Sequence, residues 1–239
     1  MRALRISLIV VGVLLVLAVA ADRVALFIAQ GEVASRAKTT LGLAEEPDVS
    51  IKGFPFLTQV LNRHLDHVAL GLDEYQAQVD GSRLTIRELD ADLRDVTITG
   101  GFSGAVAESA TGEGLIDYPE LTRVYGELLG TQDNGVSVDF SPADDGRLLL
   151  SVQASLLGRS VHVGDVEADL VVEHDTVRLH VDEEDIPDTG SERVRQMVTE
   201  RLNQEHPVSG LPVGLTLDSA TPTADGVRID VVGSDVEIG

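Results

Sequence analysis

Run after run of this chain alternates apolar and polar residues with period two, and that pattern limits the fold more than any other feature. RLLLSVQASL places Leu148, Leu150, Val152, Ala154 and Leu156 on one face. DVEADLVVE does the same with Val166, Ala168, Leu170 and Val172, TVRLHV with Val177, Leu179 and Val181, and GVRIDVV with Val227, Ile229 and Val231. Such segments are strands with one apolar and one wet face, as antiparallel sheets have. Asp-Gly pairs at 80–81, 145–146 and 225–226 supply hairpin turns between them. Earlier the alternation slips in phase. Val68, Leu70 and Leu72 give way to Tyr75, Ala77 and Val79; Leu84 and Ile86 give way to Leu89, Ala91 and Leu93, then to Val96 and Ile98. An extra residue that shifts the phase is the signature of a bulge or bend.

Two helical stretches interrupt the strands. DYPELTRVYGELLG carries Pro119 near its start, a stripe of Leu121, Val124, Tyr125 and Leu128, and Gly130 at its end. DTGSERVRQMVTERLNQ offers Ser191 as a cap and Val194, Met197, Val198 and Leu202 as one face. Long aliphatic strands with so few helices to cover them predict an α+β fold: a long, curved, mostly antiparallel sheet wrapped around one or two helices. The same walls suit a filled core or an apolar groove, and the pattern leaves that choice open.

The N-terminus reads differently. MRALRISLIVVGVLLVLAVAADR has two arginines and then no charge from Ile6 to Ala21. Sixteen helical residues reach roughly 24 Å, a little short of a ~30 Å hydrocarbon core. Residues 1–21 are therefore a signal anchor, or a signal peptide cleaved after the small residues Ala18-Val19-Ala20. The arginine flank stays inside, so everything from Asp22 lies on the extracytoplasmic side of the cell membrane, tethered by a single pass or released. Val24, Phe27, Ile28, Gly31 and Ala34 continue at helical spacing, which predicts a helix to about Leu41. Residues 22–46 are then a membrane-proximal helix and linker, and 47–239 a single domain.

Charge and cysteine content exclude several function classes. Beyond Ala21 lie all 40 acids against 16 bases, so nucleic acid is repelled and a polybasic lipid-docking patch is absent. The chain has no Cys, hence no disulfide, no thiol chemistry and no lipidated cysteine. His64 and His67 are three apart, but no third metal ligand accompanies them, and surface positions near a strand start are expected. His162, His174 and His180 fall on or near polar strand faces. DEEDIPD, residues 182–188, is acidic but lacks the spacing and central Gly of a calcium loop. No nucleophile elbow, phosphate loop or zinc-protease motif occurs, and forty acids make any carboxylate pair uninformative. No catalytic residue, cofactor or metal site is predicted.

One stretch stands apart. IKGFPFLTQVL, residues 51–61, holds two of only five Phe around a proline. Gly53 and Pro55 set a turn, Phe54 and Phe56 share a side if the chain stays extended, and Leu57, Val60 and Leu61 continue as a short helix. These residues are either core or a lipid-facing rim.

IKGFPFLTQVLNRHLDHVALGL resembles the opening motif of the LmeA-like family of actinobacterial cell-envelope proteins. The resemblance extends to Ala20-Ala21-Asp22-Arg23, to Ile116-Asp117-Tyr118 with Leu121, and to Leu211-Pro212-Val213-Gly214-Leu215 followed by Asp225-Gly226-Val227. It implies a phospholipid-binding protein of tubular lipid-binding (TULIP-like) fold, with a curved sheet around a helix and an apolar tunnel, and a link to mannan or lipomannan assembly. Membrane phospholipid is the implied partner; protein partners are not indicated. The lipid-binding candidates are Phe54, Phe56, Leu57, Val60, Leu61, Leu121, Val124, Tyr125 and Leu128. Two other readings stay open: a non-enzymatic structural or adaptor protein of envelope glycan synthesis, and an exported carboxylate-dependent hydrolase.

Overall fold

A computed structural model of the chain describes residues 2–100, 104–128, 136–156, 159–173, 175–181, 205–209, 211 and 213–238. The helix expected around Ser191 to Leu202, the acidic stretch 182–188 and His174 lie outside the described residues. The rest is α+β, as the alternation predicted. Helix α1 (Arg2–Leu41) is followed by β1 (Asp48–Lys52), α2 (Phe56–Leu61), β2 (His64–Val79), β3 (Ser82–Thr99), β4 (Gly104–Ile116) and α3 (Tyr118–Leu128). Then come β5 (Val136–Pro142), β6 (Leu148–Leu156), β7 (Arg159–Glu173), β8 (Thr176–His180), β9 (His206–Ser209), β10 (Leu215–Pro222) and β11 (Val227–Ile238). These strands join one sheet in the order β10-β11-β4-β3-β2-β9-β8-β7-β6-β5, with β1 paired to β2 outside that path. Successive hairpins pair antiparallel, for example Phe140 with Leu150 and Leu150 with Val166.

Two of the three phase slips read from the sequence are places where the backbone turns left-handed; the first, between Leu72 and Tyr75 in β2, has no residue of positive φ. Glu88 has φ 51° and Asp95 φ 52°, both inside β3, and at each the chain shows two consecutive exposed residues: Arg87-Glu88 and Arg94-Asp95. The same device recurs in β11, where Asp235 has φ 51° and Ser234-Asp235 are both exposed. One extra residue in the left-handed region returns the next apolar side chain to the inner face. The Asp80-Gly81 turn forms as expected: both residues have positive φ (47° and 84°), which a two-residue turn between twisted strands requires, whereas at 145–146 and 225–226 only the Gly does.

The chain packs as two compact units. The first comprises Met1–Leu72, Ala91–Ala110 and Ser234–Gly239; the second, Asp73–Asp90 and Thr111–Gly233. In the first, α1 is 40 residues long, about 60 Å at 1.5 Å per residue and twice a bilayer's hydrocarbon thickness. Its apolar side chains between Leu4 and Val19 are exposed, and it is long and apolar enough to cross a membrane. Its later turns pack against β1 and α2.

In the second unit the apolar strand faces point the same way. Leu148, Leu150 and Ala168 are fully buried, and Val166, Leu179, Val181, Val227, Ile229 and Val231 are nearly so. They pack with Val124, Tyr125 and Phe140 into one cluster. Phe140 of β5 and Leu217 of β10 come from opposite ends of the strand order, yet both belong to it. The sheet of this unit therefore curls round α3, which is the expected solution to burying long aliphatic strands with few helices.

Candidate functional site

The second unit encloses an apolar cavity. Its walls include Leu121, Val124, Tyr125 and Leu128 of α3, facing Ile86, Leu148, Leu170 and Ile229 from the sheet. The stripe read from the helix sequence is thus the helical wall of the cavity. The cavity measures about 100 Å³, within about 900 Å³ of unfilled space that includes open solvent. An apolar hole of about 150 Å³ holds a benzene, and small-molecule sites run to ~300–1,000 Å³. A whole acyl chain therefore enters only by spreading these walls.

Helix α3 is fastened by polar groups outside the cavity. Asp117 accepts the Glu120 N–H at 2.9 Å and so caps the helix start. Asp-x-x-Glu before an apolar stripe is a start signal that the reading from Pro119 alone overlooked. The Glu120 carboxylate accepts the Thr85 N–H of β3 at 2.7 Å and the Arg123 guanidinium at 2.7 and 2.8 Å. Thr122 Oγ1 accepts the Phe140 N–H of β5 at 3.0 Å, and the Tyr118 hydroxyl donates to the Thr223 carbonyl at 2.5 Å. With the Arg123 guanidinium also donating to the Arg83 carbonyl of β3 at 2.6 Å, these bonds tie the helix to three different stretches of the sheet and its loops.

The Arg123 hydrogen bonds hold the Glu120 pKa down at about 2; burial opposes this and the Thr85 N–H assists. A carboxylate depressed in the folded state stabilises the fold above its unfolded pKa near 4.3, and that support vanishes as pH falls towards 2. Stability is expected to drop by on the order of 1–2 kcal/mol across that window, discounted for partial exposure. Glu120→Gln should be less stable at pH 7 and lack this component of the acid slope. Urea titrations of both proteins at pH 2.5, 4 and 7 measure it; parallel slopes would remove Glu120 as an anchor.

The FPF stretch lies in the first unit and is not among the described residues lining the cavity. Its two phenylalanines part: Phe56 is buried at 4% exposure, whereas Phe54 is 61% exposed. The shared side expected of an extended chain is lost because helix α2 begins at Phe56. Val60 is half-buried; Leu57 and Leu61 are exposed. The flanking Gly and Gln have structural roles. Gly53 has φ +94°, and a Cβ there would lie 2.3 Å from Gln59 Nε2. Gln59 fills that space, donating to the Lys52 carbonyl at 3.3 Å and accepting the Asp66 N–H at 2.9 Å.

Residues of the family-like motifs that are far apart in sequence meet in space. In the first unit, the Asp22 carboxylate accepts the Leu57 N–H at 2.8 Å. It thereby caps α2, whose N-cap Pro55 offers no side-chain oxygen. Arg23 bonds Asp22 at 2.5 Å and sets its guanidinium carbon 5.2 Å from the Phe54 ring centre. In the second unit, Gly226 packs so close to Ile116 that a Cβ would lie 2.3 Å from its carbonyl oxygen. None of these contacts is visible from local pattern.

His64 and His67 are partly exposed, and His162 is exposed. His67 Nε2 bonds Asp92, His64 lies 3.5 Å from Asp95, and His162 lies 3.6 Å from Asp165.

A helix held inside a curled antiparallel sheet, with a largely aliphatic cavity between them, is an architecture with room for an apolar group. The model for the LmeA-like phospholipid-binding family matches residues 20–232, nearly the whole chain, and the protein belongs to that family. No curated protein and no solved structure matches the chain.

Proposed function

We propose that this protein is an exported, membrane-anchored phospholipid carrier of the cell envelope, and that the cavity beside α3 takes an acyl chain. The observation that carries this reading is the aliphatic lining of that cavity in a chain of a phospholipid-binding family. Exposing a chain of about sixteen carbons to water costs on the order of 12 kcal/mol at ~0.8 kcal/mol per methylene. Moving it between two apolar media costs little, so exchange with a bilayer needs no energy source. Aliphatic walls suit this role, because they accept a disordered chain with little selectivity.

The membrane side of this reading rests on α1. Its apolar run ends at Ala21, and the next residue, Asp22, grips the first turn of α2. This holds α2 where α1 leaves the bilayer, on the extracytoplasmic side if Arg2 and Arg5 stay inside. Exposed Phe54, Leu57 and Leu61 then meet the lipid interface, while Phe56 and Val60 hold the helix to its unit. Support of lipoglycan or mannan assembly, by binding or delivering lipid, is the process this carrier would serve.

Protein isolated from membranes in mild detergent is expected to carry bound phospholipid, close to one per chain, when its extract is measured by mass spectrometry. Lipid-free protein that also fails to take up phospholipid from vesicles would contradict the proposal.

A further inference from the structure

The cavity lining is apolar apart from Arg178 and one pair of polar rings. Tyr125 and His206, each 6% exposed, line it from α3 and β9. Their rings meet edge to face with centres 5.9 Å apart. Tyr125 Oη and both His206 ring nitrogens are buried with no hydrogen-bond partner, and they are the orphaned side-chain atoms among the described residues. An Asp80 oxygen is 3.7 Å from His206 Nδ1, beyond hydrogen-bond reach. An unsatisfied buried group costs about 1–3 kcal/mol. A core that needed only packing would be served better by Phe at 125 and an apolar residue at 206. Two adjacent orphans from distant parts of the chain, on a largely apolar wall, point to a ligand that carries the missing partner.

We propose that Tyr125 Oη and the His206 imidazole donate hydrogen bonds to the acyl-ester carbonyl oxygens of a phospholipid whose chain lies along α3. This rests on the reading of the cavity as the acyl site. An ester carbonyl is a neutral acceptor, whereas a buried phosphate needs a counter-charge. The one guanidinium in the described lining, Arg178, lies 3.6 Å from Glu173, and the chain's net charge is −22. The phosphate therefore stays in water and the ester marks the depth of insertion. Both donor sites are covered while the cavity is narrow; the widening that admits a chain separates the side chains that cover them.

The test uses the full chain in dioleoyl phosphatidylcholine vesicles doped with phosphatidylcholine carrying a diazirine on one acyl chain, as diester or as diether. After photolysis, labelling of cavity peptides from α3 and β6 is quantified against labelling of α1. Tyr125→Phe removes one hydroxyl and keeps the ring. With the diester, cavity labelling is expected to fall about five- to tenfold, as loss of one hydrogen bond implies. With the diether, wild type and variant should label alike, and the variant should melt no lower than the parent. Unchanged diester labelling in Tyr125→Phe overturns this proposal but leaves the acyl site standing. An equal fall with the diether overturns the assignment to the ester. A fall accompanied by a lower melting temperature overturns it too, since the hydroxyl would then be structural. No cavity labelling in wild type overturns the acyl site and this proposal together.

Discussion

Protein carrying both Ala77→Leu and Ala220→Leu is expected to lose at least tenfold in phospholipid uptake while melting within a few degrees of the parent. Both alanines line the cavity, Ala77 from β2 and Ala220 from β10. Each substitution puts an isobutyl group where a methyl stood. Together they occupy most of a cavity of about 100 Å³. Filling such a space recovers about 2 kcal/mol, at ~24 cal/mol per Å³, against an overpacking cost of about 1–3 kcal/mol. The two nearly cancel, so the fold stays intact. Binding has no such compensation, because an acyl chain must then displace six more carbons of wall. Uptake from vesicles containing fluorescent-chain phospholipid, measured beside calorimetry, reads both quantities. Normal uptake by the filled protein would place the lipid elsewhere.

The second large effect separates two neighbours. Phe56→Ala is expected to cost about 3–5 kcal/mol, because a nearly fully buried ring leaves a hole under α2. Phe54→Ala should stay within about 0.5 kcal/mol, since the ring is 61% exposed and its contact is with the surface residue Arg23. Chemical denaturation of the two variants in the same detergent gives the comparison. Equal losses would mean that Phe54 is covered in the folded protein and not a surface group free to meet lipid.

Much of the fold is legible in the sequence because strand faces obey a local rule. Alternation points Leu148, Leu150, Val166, Ala168, Leu179, Val227, Ile229 and Val231 inward, and all are buried. Even the irregularities were readable: the slips after Ile86 and Leu93 mark Glu88 and Asp95, where the backbone turns left-handed. The α3 stripe was readable for the same reason, since its period is that of the helix. The polar contacts were not. Asp22 and Leu57 are 35 residues apart, and Tyr125 and His206 are 81 apart, so only the folded chain brings each pair together. Phe54 and Phe56 illustrate the remaining gap. Two residues of one type, two apart, share a face in a strand and diverge at a helix start, and the boundary decides which applies.

The cavity and the anchor predict lipid contacts in different places, and one experiment distinguishes them. Full-length protein with methyl-labelled Leu and Val in nanodiscs can be titrated with phosphatidylcholine carrying a nitroxide near the end of one acyl chain. The apolar run of α1 should broaden in any case if it anchors the protein in the bilayer, as proposed. If an acyl chain enters the cavity, the methyls of Leu148 and Leu150, both at 0% exposure, should broaden as well. Broadening confined to α1 and the exposed residues of α2, with Leu148 and Leu150 unchanged, would contradict the account.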